Sequence, residues 1–438
     1  MSAISRPYHM APKPHRPTRS IAPRRGSDQT RTPRKKSVAP PLVWIEISRA
    51  AFLANVRFLS SLPSVSGAPS VGDAPSVGDA PLRMCVAVKA NAYGHGLEQI
   101  VTLLRGERIE YIAVHSLDEA ERARRAGWRK NVLCVGYVAL AESERALGLA
   151  VEPSVYNIEN LRAIGRAARR LKCDARIHLK VETGCQRQGV ALGDLPAFVR
   201  ALSRERRVRL TGLSTHFANI EDTTDHSFAR EQLARFNQAR ALLKAHGVTP
   251  EICHTASSAA CLVAPETRFD MIRPGIALYG HWPSKETLLT FQHSFGRIHS
   301  AKLATLRPIL SLKCRIAQIK TVSRGEGVGY GLTWRAPKKS RIAVLPVGYF
   351  DGYPRALSNI SHALVQGRRA PVRGRVSMNN IMIDVSDLKA VSLEDEVTLL
   401  GRDGNDEISA EQVAQWAGTI NYEVLARLGS HIPRIIVG

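Results

Sequence analysis

Lys89 closes the apolar run MCVAVK and is followed by ANAYGHG. An amine at the end of an apolar strand is partly stripped of water. Desolvation disfavours its charged form, and a neutral amine can condense with a carbonyl to form an imine. The glycines of YGHG let backbone approach a ligand closely. Other short apolar runs also end on polar groups. HLKVETGCQRQG carries Lys180, Gly184 and Arg187, STHFANIED carries His216, HTASSAA carries Ser257 and Ser258, and IRPGIALYG carries Arg273, Gly275 and Ile276. The small residues with free N–H groups (Ser258, Gly275, Ile276) suit a phosphate. Arg187 suits a carboxylate or a phenolate, and His216 suits the flank of a ring. Each of these taken singly is more often a satisfied polar group at a strand end.

These residues must be positioned by the elements that precede them. Eight strand candidates alternate with Ala/Arg/Leu-rich helical stretches: 84–90, 111–116, 131–137, 152–157, 176–182, 210–217, 251–257 and 271–280. They do not alternate strictly between apolar and polar, as expected for parallel strands covered on both faces. The intervals are long enough for crossover helices. Eight such units predict a (β/α)8 barrel, whose active site lies at the C-terminal ends of its strands. Near residue 300 the texture changes to β-rich segments separated by Gly-bearing turns, interrupted by one helix over 408–418. The expected division is a basic tail over 1–42, a barrel over 43–299 and a β-rich domain over 300–438. Within the barrel, the tandem repeat APSVGDAPSVGDAP marks a loop over 61–81.

Composition agrees with a globular chain: of 438 residues, 44% are apolar and 23% charged. No apolar run approaches the ~18 residues of a membrane span, and the N-terminus has no signal-peptide core. Seven scattered cysteines without a CxxC pair argue against a disulfide framework or a zinc cluster. A cytoplasmic protein without a metal is expected. The net charge is +24, of which +9 lies in residues 1–42 (ten Lys/Arg less Asp28). That tail is expected to be disordered. The remaining excess sits partly on Arg-rich helices such as ERARRAGWRK. No nucleic-acid motif accompanies it, so polyanion binding is not the expected main function.

Four strings together resemble the alanine racemases: AVKANAYGHG, RPGIALYG, GVGYG and INYEVLARL…IPR. The resemblance spans roughly 43–438. A ten-residue string in the right barrel position has a low chance-match rate, unlike a lone GxGxxG. The resemblance implies an enzyme using pyridoxal 5'-phosphate to interconvert L- and D-alanine for peptidoglycan, working as a homodimer. Lys89 would carry the cofactor and act as one base, and Tyr330 of the partner subunit would be the other. Arg273 would face the pyridine nitrogen. Tyr93, Ser258, Gly275, Ile276 and Tyr422 would hold the phosphate. Arg187 would sit near the cofactor's phenolic oxygen and the substrate carboxylate, oriented by Lys180, which is carbamylated in many relatives. His216 would pack on the ring and support Tyr330. Met378 would offer a backbone N–H to the substrate carboxylate, and Tyr349 and Arg355 would line the entrance.

The implied chemistry is coherent. Two bases on opposite faces move a Cα proton across without turning the substrate. Arginine beside the pyridine nitrogen cannot accept its proton, which favours racemisation over transamination. Departures from the family pattern are Ser257 in place of the common Asn, a cofactor-contacting position, and Ser377 and Asn379 around Met378 in place of Cys and Asp. They leave a broader-specificity amino-acid racemase of the same fold as the alternative. A bare pyridoxal-phosphate carrier is disfavoured by the second domain.

Overall fold

The structure is a computed structural model that describes residues 41–62, 64–66, 76–78, 82–295 and 306–438. The basic tail up to residue 40 and most of the repeat-bearing loop lie outside the described residues. Of that loop, Ser64–Ser66 and Ser76–Gly78 form a short antiparallel pair.

Eight parallel strands make one sheet, and all eight coincide with the apolar runs read from sequence. They are Arg83–Ala87, Tyr111–Val114, Asn131–Cys134, Val151–Val155, Ala175–Lys180, Val208–Ser214, Ile252–His254 and Met271–Ile272. Neighbours in space follow chain order, and Met271–Ile272 returns to pair with Arg83–Ala87. The seam between the last two strands is bridged by Asp270 N–H to Cys253 O at 3.1 Å and Arg273 N–H to Ala256 O at 2.9 Å. The sheet therefore curls into a barrel.

Strand residues alternate between two environments. Cys85, Ala87, Tyr111, Ala113, Leu133, Ile252 and Met271 pack together inside the barrel. Their neighbours Val86, Ile112 and Val132 face outward and join helix residues such as Ile100, Leu104 and Ala120. On the far side, Ile177 and Leu179 meet Ile164 and Phe198. Each such side chain contributes roughly 1.5–3 kcal/mol on full burial, so the outer face holds the helices in place. Helix starts are capped as their sequences dictate: Ser116 Oγ accepts from Glu119 N–H, and Asn157 Oδ1 from Asn160 N–H.

The second domain is built on a β-sheet ordered Arg368–Pro371, His362–Val365, Glu396–Asp403, Leu310–Arg315, Val43–Ser48, Arg434–Val437. Strand Val43–Ser48, which the sequence reading grouped with the barrel, runs antiparallel to Leu310–Arg315 and parallel to Arg434–Val437. Lys313 lies between Glu46 at 3.0 Å and Glu396 at 2.7 Å and fastens this join. Three further strands, Gln318–Val322, Ser340–Leu345 and Ile381–Asp384, form a separate sheet. Where one helix was expected, Ala410–Ala417 is followed by a second, Asn421–Ala426. Among the described residues, no helix is long and apolar enough to cross a membrane.

Candidate active site

The C-terminal mouth of the barrel opens into a cavity of about 630 Å³. Lys89 enters it from an unusual turn. Ala90, Asn91, Ala92 and Tyr93 all have φ of 53–54°, and Gly94 follows at 82°. Left-handed backbone costs a non-glycine residue roughly 1–2 kcal/mol, so the surroundings must impose it. Ala92 N–H reaches Val88 O at 2.8 Å, and Gly96 N–H reaches Asn91 O at 3.0 Å. Asn91 Oδ1 accepts from Leu97 N–H and from Arg122, which also grips Glu98. Arg434 of the second domain donates twice to Gly94 O. Gly94 has no substitute here, because a Cβ would lie 1.9 Å from Leu425 O.

The turn brings Lys89 and Tyr93 into one cavity, with Lys89 Nζ 4.9 Å from the Tyr93 ring centre. Burial lowers the Lys89 pKa, opposed by Glu119 and assisted by Arg187. Burial also pushes the Tyr93 phenol up to about 12, with a smaller push from Glu221. Tyr93 therefore stays a neutral O–H donor.

Arg273 follows the last strand. One Nη donates to His254 Nδ1 at 2.8 Å and His254 O at 2.6 Å, the other to Thr215 O at 2.8 Å and Thr255 O at 3.0 Å. With both Nη groups so engaged, Nε–H is the donor left for a ligand. Burial lowers the Arg273 pKa to about 10, which still leaves it charged at neutral pH.

Beside it, Ser258 Oγ accepts from Gly275 N–H at 2.9 Å and Ala277 N–H at 3.2 Å. A Cβ on Gly275 would sit 2.4 Å from the Tyr93 hydroxyl. Tyr422 reaches this corner from the second domain and donates to Glu221 at 3.2 Å. Burial first, then Glu221, raises its pKa, while burial raises that of Glu221.

On the opposite wall, burial and then Arg187 and Arg273 lower the Lys180 pKa to about 8. Its Nζ donates to Gln188 Oε1 at 3.1 Å. As cations Lys180 and Arg187 repel, so an amine at 180 does not by itself orient Arg187. Burial, then the surrounding cations headed by Arg273, drops His216 to about 3. His216 is therefore neutral at physiological pH.

The cavity thus gathers Lys89, Tyr93, Lys180, Arg187, His216, Ser257, Ser258, Arg273, Gly275, Ile276 and Tyr422. It does not include Tyr330, Tyr349, Arg355 or Met378 of the same chain. Tyr330 is 74% exposed, Tyr349 44% and Met378 54%. Backbone bonds tie Tyr349 to Ser377 and Phe350 to Met378, and Asn359 links Thr333 to Gly374. The loops around 330, 350 and 378 therefore form one face that also exposes Leu332, Phe350 and Ile360.

Sequence reasoning missed Glu221, Glu119 and the histidine pair His178 and His254. The pair had a signal. In RIHLK, polar residues recur at 176, 178 and 180, every second position of an otherwise apolar strand, which marks a polar inner face.

Residues 77–283 match the alanine racemase N-terminal domain, and 309–436 match the alanine racemase C-terminal domain. The chain is 40% identical over 347 residues to the alanine racemase of Syntrophobacter fumaroxidans, covering 79% of this chain and 88% of that one. It is similar in structure to alanine racemase from Clostridium difficile 630, with a TM-score of 0.80, 29% identity, and coverage of 91% of this chain and 97% of that one. Alanine racemase from Bacillus anthracis with bound L-Ala-P gives a TM-score of 0.79 at 30% identity, over 92% of this chain and 96% of that one.

Proposed function

The chain belongs to the alanine racemase family, and from that premise we propose that it racemises alanine with pyridoxal 5'-phosphate by means of two bases on opposite faces. One observation carries the reading. A half-buried amine of lowered pKa, a charged guanidinium with one free donor and a cradle formed by Ser258, Gly275 and Ile276 beside Tyr93 share a single cavity. That set fits the aldehyde, ring and phosphate of the cofactor. Glycine at 275 is what keeps the cradle open. When bound, pyridoxal phosphate supplies an electron sink that acidifies the Cα–H of alanine.

Lys89 would hold the cofactor and exchange the Cα proton on one face. Arg273 would offer Nε–H to the ring nitrogen without taking a proton from it. Tyr93, Ser258, Gly275, Ile276 and Tyr422 would hold the phosphate, and Ser257 would contact the cofactor. Arg187 would bind the substrate carboxylate together with the Met378 N–H of a second copy, since Met378 of the same chain lies outside the cavity. A neutral Lys180 amine can add carbon dioxide, and the resulting carbamate would reverse the repulsion and orient Arg187.

Tyr330 would serve the other face from a second copy. Its 74% exposure and its absence from the cavity lining of its own chain support that assignment. So does the exposed apolar face around it, which suits burial against a partner. His216 would then act on Tyr330 as a neutral hydrogen-bond partner, and Tyr349 and Arg355 would line the entrance. The working unit would be a two-fold dimer with two composite sites.

The reading divides the chain into a basic segment over 1–42, a cofactor-binding barrel over 43–299 and a β-rich domain over 300–438, with Val43–Ser48 lent to the second sheet. D-alanine for peptidoglycan would be the product used, in the cytoplasm. Incubation with each L-amino acid followed by chiral chromatography tests the substrate, and alanine should react fastest. A faster serine or lysine reaction would replace alanine as the substrate. Borohydride reduction of the loaded chain should leave its label on Lys89, and a label elsewhere would overturn that assignment.

A further inference from the structure

The barrel interior beneath the cavity holds an unbroken line of polar groups. Arg273 Nη1 lies 2.8 Å from His254 Nδ1, and His254 Nε2 lies 2.7 Å from His178 Nδ1. His178 Nε2 lies 2.9 Å from Glu152 Oε2. The line ends where Arg176 Nε donates to Glu152 Oε1 at 3.0 Å and Tyr111 Oη donates to the same carboxylate at 3.3 Å. His178, His254 and Glu152 are 0%, 1% and 4% exposed.

Donor and acceptor counting fixes every proton. A guanidinium only donates, so His254 Nδ1 accepts, and the proton of His254 sits on Nε2. That proton points at His178 Nδ1, which must accept in turn. The proton of His178 then sits on Nε2 and is donated to the Glu152 carboxylate. Both rings are neutral, and all three bonds run one way, from cation to anion.

The fold makes room for this line. Strand pairing slips by one residue between Ile177 and His178, which sets Gly212 opposite His178. A Cβ at 212 would lie 2.0 Å from His178 Nδ1. A bulge of this kind re-aims a side chain, and here it admits an imidazole that an alanine would displace.

We propose that Glu152, His178 and His254 are positioning residues that anchor Arg273 through a one-directional hydrogen-bond relay. The relay rests on the reading of Arg273 as the partner of the pyridine ring. It counters the buried guanidinium with a carboxylate while two imidazoles keep that carboxylate away from the ring. A carboxylate at the ring nitrogen would hold it protonated and favour transamination; the relay leaves Arg273 as the partner of that nitrogen.

The test begins on the cofactor-free chain labelled with 15N-histidine, with signals assigned through His178→Gln and His254→Gln. Both rings should show the Nε2–H tautomer at pH 7. A proton on Nδ1, or a doubly protonated ring, overturns the relay whatever the protein catalyses. In the loaded enzyme, Glu152→Gln keeps the shape and removes the charge. It should lower kcat on the order of tenfold, hold KM for alanine within about twofold, and raise the ratio of transamination to racemisation. His254→Gln should do the same, which guards against misfolding of one variant. Wild-type kcat and ratio in both variants would overturn the positioning role while leaving the racemase reading intact. A wild-type chain that fails to racemise alanine would strike that reading, and the positioning role with it, but not the tautomers.

Discussion

Gly275→Ala puts one methyl group where the cofactor phosphate is proposed to sit. Its Cβ would lie 2.4 Å from the Tyr93 hydroxyl oxygen and 2.8 Å from Cζ, against an ordinary contact of at least 3.4 Å. One partner must therefore yield by about 1 Å. Tyr93 has little room, since its ring packs 5.3 Å from Tyr279 and 6.1 Å from Tyr422. The backbone at 275 is not left-handed, so the penalty is overlap alone. Overpacking of this size costs about 1–3 kcal/mol. The empty chain can relieve it by moving Tyr93, but phosphate binding as proposed requires Tyr93 in place. Up to that cost therefore falls on the bound state, a loss of up to roughly 5- to 150-fold in pyridoxal phosphate affinity. Fluorescence titration of the cofactor-free chain reads that affinity directly. Adding Tyr93→Phe removes the nearest clashing atom, so the double variant should bind better than the sum of the two single losses allows. An affinity within twofold of wild type for Gly275→Ala, or strict additivity in the double variant, would refute the reasoning.

Other expectations are as specific. Gly94→Ala forces a Cβ within 1.9 Å of Leu425 O at a φ of +82°; the melting temperature should fall by several degrees, and an unchanged value would mean the two domains do not meet there as described. Lys180, with a pKa of about 8, should take up 13C-labelled bicarbonate increasingly between pH 7 and 9, because only the neutral amine reacts; a 13C carbamate signal equally strong at pH 6 would contradict this. Burial depresses His95 and His216 to about 3 in the folded chain, against an unfolded value near ~6.5. The unfolded state binds more protons between those values, so stability should fall with pH below about 6.5, by roughly 2 kcal/mol per ring at pH 5. Urea midpoints at pH 7.5 and 5 check it, and equal midpoints would rule it out. Tyr330→Phe should slow exchange from L-alanine more than from D-alanine, measured by solvent deuterium uptake; equal losses would count against the two-base assignment.

The barrel was legible because its strands are short apolar runs that end on polar residues, and Lys89, Lys180, His216 and Arg273 stand at or just past those ends. Three things were not legible. The left-handed turn over Ala90–Tyr93 holds, apart from Asn91, residues with no preference for positive φ, and tertiary bonds from Arg122 and Arg434 impose it. Strand Val43–Ser48 reads like any amphipathic strand, and only its pairing with Leu310–Arg315 shows which sheet it joins. The relay from Arg273 to Glu152 depends on a one-residue slip opposite Gly212, which no local propensity encodes. Period-two polarity could have placed His178 inside the barrel, but not against His254.

The claim most in need of a direct test is that each site draws one base from each of two copies. Lys89→Ala and Tyr330→Phe chains, each inactive or nearly so alone, should be unfolded together and refolded as a mixture. Half the dimers would then be mixed, and each mixed dimer would hold one site with both bases intact. Racemase activity should return to about a quarter of wild type. Verified mixed dimers that stay as inactive as their parents would contradict it.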